Sequence, residues 1–372
     1  MMNSTSSNPQ RQSFFLNMGP QHPSTHGVLR VLLEMDGEYV RNAEPVLGYG
    51  HRQQEKLGES LNWKGFMPYS ARLDYVGALP CTHGFIGVIE RMTGIEAPPR
   101  AEYIRVITSE LNRIASHLLW LGAFLLDLGA FTPIMYTFDD REQILDILED
   151  ITGSRLTYCY FRVGGVSRDI DAGFVEKTRA FIDRLRGRFK LYDDLVSNNI
   201  IFIKRVQNIV RFTPDLAMRY GVTGPLLRST GICYDIRKKE PYSAYPEFDF
   251  EIPVGETGDC LESYRVRLRE MEQSLRIIEQ ALDRLPEGPA LAKTPRQLKL
   301  PLGDASFSVE TARGELTYYL VSDGSEVPYR LKIRTPSFSN LSPLPELCRN
   351  VLLSDLVMVL GTLDLVIPEI DR

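Results

Sequence analysis

The chain is poor in the residues that build covalent or metal frameworks. It has five cysteines, Cys81, Cys159, Cys233, Cys260 and Cys348, an odd number with no CxxC pair. That argues against a disulfide framework or a Cys-rich cluster site, and a reducing, intracellular setting is expected. Positive charge is not in excess: 43 Lys and Arg face 48 Asp and Glu, a net charge of -5, so no overall basic field points to nucleic acid. Phosphate loops are missing, because RVGGV and DLGAF lack the spacing of GxGxxG or GxxxxGK[ST]. There is no GxSxG and no HExxH. The opening MMNSTSSNPQRQ lacks the apolar run of a signal peptide. In the most apolar segment, Leu118–Met135, the uninterrupted run Leu118–Leu126 ends after nine residues at Asp127. A spanning helix needs about 20 apolar residues. This reads instead as a buried core helix in a soluble chain that can dock on something membrane-bound.

What is present is enough for a large core: 372 residues, 43% of them hydrophobic. Residues 1–13 read as a flexible tail. Residues 28–47 read as a hairpin, with VLRVLLEM, a turn at Asp36-Gly37 and a returning EYVRNAEPVL. Pro98-Pro99 introduces one long helix, AEYIRVITSELNRIASHLLWLGAFLLDLG, on which Glu110, Arg113 and His117 share a face. Further helices are expected at 139–152, 173–199 and 262–285, and a last apolar helix at about 344–363. Between them, SFSVETARGELTYYLVSDGSEVPYRLKIRTP is strand-rich, punctuated by Arg313-Gly314 and Asp323-Gly324. The fold class is α+β, a central bundle of long helices with β segments at the N- and C-terminal ends, not the alternating βαβ of a nucleotide-binding sheet. The expected organisation is a tail (1–13), a β-containing region with a site loop (14–85), a helical core (86–300) and a C-terminal β region with a final helix (301–372).

Four places carry candidate chemistry. In GPQHPSTHGVLR, residues 19–30, His22 and His26 stand four apart among only five histidines. Gly19-Pro20 and Gly27 disfavour a regular helix through both, and no third ligand has metal-site spacing. A hydrogen-bonded turn and a proton-transfer site, suited to a side chain titrating at roughly 6.5, both remain open. GYGHRQQEK, residues 48–56, concentrates His51, Arg52, Glu55 and Lys56 beside glycines, a pattern also met at a solvated helix start. PYSARLDYV, residues 68–76, holds Tyr69, Arg72, Asp74 and Tyr75. Asp127 interrupts LLDLGAF; such a carboxylate is costly to bury alone, so it either pairs with an imidazole as a proton relay or ends the helix.

Together these motifs resemble one family. GPQHPSTHGVLR, GYGHR with EKL, PYSARLDYV, PPRAEYIRVITSELNRIASHL, LDLGAFTP, FRVGGV, RSTGICYDIRKKEPY, FEIPVGETGDC, YLVSDGSEVPYRLKIRTPSF and DLVIPEIDR fall in order over nearly the whole chain. They resemble the D subunits of respiratory complex I, the proton-pumping NADH:quinone oxidoreductase. The resemblance implies a fold like the large subunit of [NiFe] hydrogenases. GYGHRQQEK and LVIPEIDR stand where the two metal-binding cysteine pairs of those enzymes would be, and neither contains cysteine. A nickel site needs such soft thiolates, so the old metal cavity is expected to serve quinone.

The resemblance also implies roles. His26 and Tyr75 match the residues that bond the two quinone carbonyls, and Asp127 matches the acid paired with that histidine. Arg52 and Arg72 match arginines beside the terminal [4Fe–4S] cluster of the neighbouring B-type subunit, where positive charge favours the reduced cluster. The chain itself would bind no cofactor and no metal. Its partners would be quinone and the other complex I subunits, especially the B, C and I type peripheral subunits and the H type membrane subunit. Its place would be peripheral, on the cytoplasmic face of the bacterial inner membrane. An equivalent subunit of a complex fed by ferredoxin, or a decayed scaffold, are the alternatives. Thr157 stands where many members carry a histidine near that cluster, HRQQEK departs from HRGxEK, and Ala71 replaces a common Asp.

Overall fold

A computed structural model of the chain describes residues 13–22, 27–295 and 298–372. It opens with an antiparallel sheet of β1 (Phe14–Met18), β2 (Arg30–Asp36) and β3 (Tyr39–Val46). The expected hairpin is therefore present: β2 alternates, with Val31, Leu33 and Met35 turned inward. Two short helices follow, α1 (Gln54–Gly58) and α2 (Trp63–Ser70), the second capped by Asn62 accepting from the Gly65 N–H. Then come α3 (Ala78–Thr93), α4 (Pro99–Asp127) and α5 (Phe131–Thr152). A small hairpin, β4 (Phe161–Arg162) and β5 (Gly165–Val166), leads to α6 (Ala172–Tyr192), capped by Asp171. Short helices α7 (Ile200–Val206), α8 (Pro214–Arg219), α9 (Pro225–Ser229) and α10 (Ile236–Lys239) precede α11 (Cys260–Asp283), capped by Asp259. The C-terminal sheet is β6 (Gly303–Thr311), β7 (Gly314–Ser322) and β8 (Arg330–Arg334), antiparallel throughout. The chain ends with α12 (Pro336–Leu341), α13 (Leu344–Leu347), β9 (Val351–Leu352), α14 (Leu353–Leu363) and α15 (Ile367–Asp371).

The α+β class is as expected, with α4 as the axis. Pro99 takes the first helical turn, where its missing N–H costs nothing, and α4 is buried on almost every side, packed against α5, α11, α14 and α3. Several element bounds differ from expectation. The second long helix begins at Phe131 rather than 139, because Pro133 sits in its first turn and is tolerated there. The third ends at Tyr192 and gives way to a π-type turn, Asp193–Ser197. The last helix is split. Asn350 takes φ 61° and its N–H donates to the Val40 carbonyl (2.8 Å), so Val351–Leu352 becomes a strand on β3 before α14 starts. The expected division at 85/86 falls inside α3.

The turn between β6 and β7 positions the site. It is a hairpin tip, yet Arg313 at its apex is 2% exposed. Gly314 allows this: a Cβ there would lie 2.5 Å from the Thr223 hydroxyl and 2.8 Å from the Gly224 N, and its φ is +132°. The tip is thereby driven into the interior, carrying Arg313 to the end of α14.

Candidate functional site

Tyr75 follows α2 in a segment fixed by its neighbour. Asp74 is fully buried; its Oδ1 accepts from the Val76 N–H (3.0 Å) and its Oδ2 from Arg313 Nη1 (2.8 Å). Tyr75 is 37% exposed and faces a narrow cleft of about 40 Å³ walled by Trp120, Ala123 and Phe124 of α4, Gly361 of α14, and Val366. Arg313 and Asp364 bring charge to this apolar cleft. Burial pushes the Tyr75 hydroxyl pKa up; Arg313 opposes this, and Asp74 and Asp364 add to it. The phenol is thus held in its donor form.

Asp127 is the last residue of α4. Trp120, Ala123, Phe124 and Asp127 run at helical spacing along one face. A Cβ built on Gly361 would sit 2.9 Å from Phe124 and 3.8 Å from Asp127 Oδ2, while Trp120 Nε1 donates to the Gly361 carbonyl (2.7 Å). The close α4–α14 seam therefore carries both the wall of the Tyr75 cleft and the Asp127 carboxylate. Asp127 ends the helix, as one of the two sequence readings has it, and is half-buried at this seam.

His26 lies outside the described residues. Its neighbour Gly27 packs on Ile367, where a Cβ would meet the side chain at 2.6 Å, and Gly27 bridges to His22. The GYGHR loop reaches the same segment: the Gly48 and Gly50 N–H groups donate to the two Asp371 carboxylate oxygens (2.9 and 2.7 Å), and His51 Nδ1 bonds the Asp371 carbonyl. The two stretches without cysteine therefore lie side by side. Arg52 and Arg72 are both exposed, and neither forms an ion pair among the described residues. Arg72 Nη1 donates to the Pro68 carbonyl (2.6 Å). They stand apart from the Tyr75 cleft, whose walls include neither.

Sequence reasoning missed the charges beneath the site. Arg313 holds Asp74 and, through Nη2, Asp364 Oδ1 (3.0 Å). Further along α4 the shared face of Glu110, Arg113 and His117 meets distant partners. Glu110 accepts from Arg113, Arg237, Tyr245 and Ser274, and the paired guanidinium groups hold its carboxyl below the usual range against burial. His117 Nε2 faces Glu270 (3.1 Å), which also takes Arg228 (2.6 Å). Burial pushes the His117 pKa down, and Glu270 only partly restores it. The helical spacing flagged one side of this network, and nothing local flagged the other.

Among the described residues no group of three or more His, Cys, Asp or Glu side chains is placed to hold a metal ion, and no helix is long and apolar enough to cross a membrane. The family described as respiratory-chain NADH dehydrogenase, 49 Kd subunit, matches residues 127–299 and 293–372. The D-type subunit of the NADH-quinone oxidoreductase of Syntrophobacter fumaroxidans is 58% identical over 97% of both chains. Its counterpart in Desulfotalea psychrophila is 56% identical over the same shares, and that of Geobacillus thermodenitrificans is 47% identical over 97% of this chain and 99% of its own. The chain belongs to the D subunits of NADH-quinone oxidoreductase, the respiratory complex I, and acts as part of that oxidoreductase.

Proposed function

We propose that this subunit forms the quinone-reduction chamber of the complex together with the cluster-bearing B-type subunit, and couples quinone reduction to proton translocation. Quinone is the substrate: reduction to quinol takes two electrons, which arrive from outside this chain, and two protons, which side chains here supply. Tyr75 donates a hydrogen bond to one carbonyl and then its proton; His26 does the same at the other. Asp127 pairs with His26 and favours imidazolium until the proton leaves. The loss of that pairing is the charge change that starts proton movement.

The observation that carries this reading is the α4–α14 seam, which joins the apolar cleft at Tyr75 to the Asp127 carboxylate. The packing of Gly27 on Ile367, next to cleft-lining Val366, supports His26 as the third member. The exposed Arg52 and Arg72 fit a face covered by the cluster-bearing partner. Docking on C, I and H type subunits would set the chain at the cytoplasmic face of the membrane. The test is NADH:quinone reductase activity in isolated membranes carrying His26→Ala or Tyr75→Phe. Each variant is expected to lose most activity while the complex still assembles; wild-type rates in both would end the assignment.

A further inference from the structure

A phenol that gives its proton to a substrate must be supplied with another, and the residues behind Tyr75 are arranged to do so. Three buried carboxyl groups crowd one guanidinium. Arg313 bonds Asp74 Oδ2 (2.8 Å), Asp364 Oδ1 (3.0 Å), the Asp364 carbonyl (2.9 Å) and Ser116 Oγ (3.2 Å). Glu369 of α15 is fully buried beside them, close enough for Asp74 and Arg313 both to act on its charge. Its Oε2 accepts from the Ser337 hydroxyl of α12, and its Oε1 has no hydrogen-bond partner among the described residues. The Thr335 hydroxyl donates to the Glu369 carbonyl (2.9 Å). Tyr318 of β7 and Cys81 of α3 complete the surroundings, and the Tyr318 hydroxyl also lacks a partner among the described residues. Arg313 is the cation that acts most strongly on Glu369. The next guanidinium, Arg267 of α11, acts on Asp364 and lies over the Trp120 ring.

Three carboxylates against Arg313 and, without a direct bond, Arg267 leave one buried negative charge uncompensated, which is costly. The cheapest relief is one proton on the group without an ion pair. Asp74 and Asp364 each pair directly with Arg313. Glu369 forms no ion pair among the described residues and is held only by the Ser337 hydroxyl, so it is the group that takes the proton. Its carboxyl is pushed up to about 8 by burial and by the Asp74 charge. Asp74 adjoins Tyr75 in the chain, and its charge acts on both Tyr75 and Glu369.

We propose that Glu369 stores the proton that restores Tyr75 after Tyr75 has protonated the substrate, with Asp74 as the relay between them. This rests on the quinone reading above. In the step, the Glu369 O–H bond breaks, the proton passes over Asp74, and the Tyr75 O–H bond re-forms. Glu369 is left as a carboxylate and no electron moves. Repulsion from Asp74 then favours reloading Glu369 with the next proton.

The test uses the assembled complex in membranes, with rates normalised to its content. Glu369→Gln keeps the side chain's shape and an acceptor for Ser337 but releases no proton. It is expected to lower kcat about tenfold or more at unchanged KM. The wild-type kcat should fall as pH rises through about 8, because the store empties; that alkaline limb should vanish in Glu369→Gln and move in Glu369→Asp. The infrared redox-difference spectrum of the wild type should contain a protonated carboxylic-acid band titrating over the same range, which keeps the proposal open to refutation even if a variant fails to assemble. Wild-type kcat and alkaline limb in Glu369→Gln, or absence of that band, overturns the store. Tyr75→Phe measured in parallel separates the two claims: if it is impaired while Glu369→Gln is not, only the store fails; if both are normal, the quinone reading fails beneath it.

Discussion

Gly361→Ala adds one methyl group to the α4–α14 seam and removes no candidate chemical group. Its Cβ would lie 2.9 Å from Phe124 Cδ2, whereas unstrained carbons sit about 3.5–4.0 Å apart, so roughly 0.6–1.1 Å must be found. Phe124 cannot readily give way: it is 1% exposed, stacked on Trp120 at 5.0 Å, and met edge-on by Phe202. Trp120 is pinned in turn by its bond to the Gly361 carbonyl (2.7 Å) and by the Arg267 guanidinium 4.3 Å from its ring centre. The helix must therefore move. Overpacking of this kind costs about 1–3 kcal/mol, while alanine in place of a helical glycine returns about 0.5–1 kcal/mol. The net expectation is a loss of about 0–2.5 kcal/mol, with the cleft wall displaced between Tyr75 and Asp127. The assay is the initial rate of NADH:quinone reduction per assembled complex, together with the thermal midpoint of the complex. KM for quinone should rise several-fold in Gly361→Ala. Gly187→Ala is the control, because a Cβ there, on the exposed face of α6, meets nothing within 4 Å; its kinetics should be unchanged. If Gly361→Ala keeps wild-type kinetics and a midpoint no lower than that of the wild type, the reasoning about the seam is refuted.

If, as the resemblance implies, Thr157 stands near a cluster of the B-type subunit where many members carry a histidine, its hydroxyl cannot gain charge near neutral pH, and that cluster should have a lower and less pH-dependent potential than with a histidine there. Thr157→His should raise that potential and make it pH-dependent between about pH 6 and 8; a redox titration checks this, and a steep dependence already present in the wild type would contradict it. Glu270→Ala removes the carboxylate that holds Arg228 at 2.6 Å and faces His117. Arg228 keeps Glu310 at 2.8 Å, so the expected loss is that of buried hydrogen bonds to charged groups, about 1.5–3 kcal/mol; an unchanged thermal midpoint would contradict it. Glu369 is raised on folding from 4.5 to about 8, so between those pH values the folded chain keeps a proton that the unfolded chain has released. Its contribution to stability therefore falls as pH rises across that window, and Glu369→Gln should flatten this part of the pH dependence of thermal denaturation.

The parts of the fold visible in the sequence are those set by local chemistry. Pro98-Pro99 and an apolar helical period mark α4, and Asp36-Gly37 marks the first hairpin. The α5 start was hidden because Pro133 reads as a break although it lies within the first turn. The split of the last helix was hidden because its cause is the pairing of β9 with β3, some 300 residues upstream. At the site, Asp127 stood out as a carboxylate in an apolar run, and Tyr75 and His26 only through the family's motifs. Arg313, Asp364 and Glu369 left no local signal. The Asp74–Arg313 bond spans 239 residues and Glu110–Arg237 spans 127, so each charge looks like an ordinary surface residue until the fold brings its partner to it.

Photo-crosslinking of the assembled complex with an azido-quinone tests most directly whether quinone occupies the cleft between α4, α14 and the segment ending in Val366. The label is expected on peptides carrying Tyr75, Ala123 or Val366, and to be displaced by excess unlabelled quinone. Displaceable label found only on other subunits, or only on segments of this chain remote from that cleft, would contradict quinone binding there.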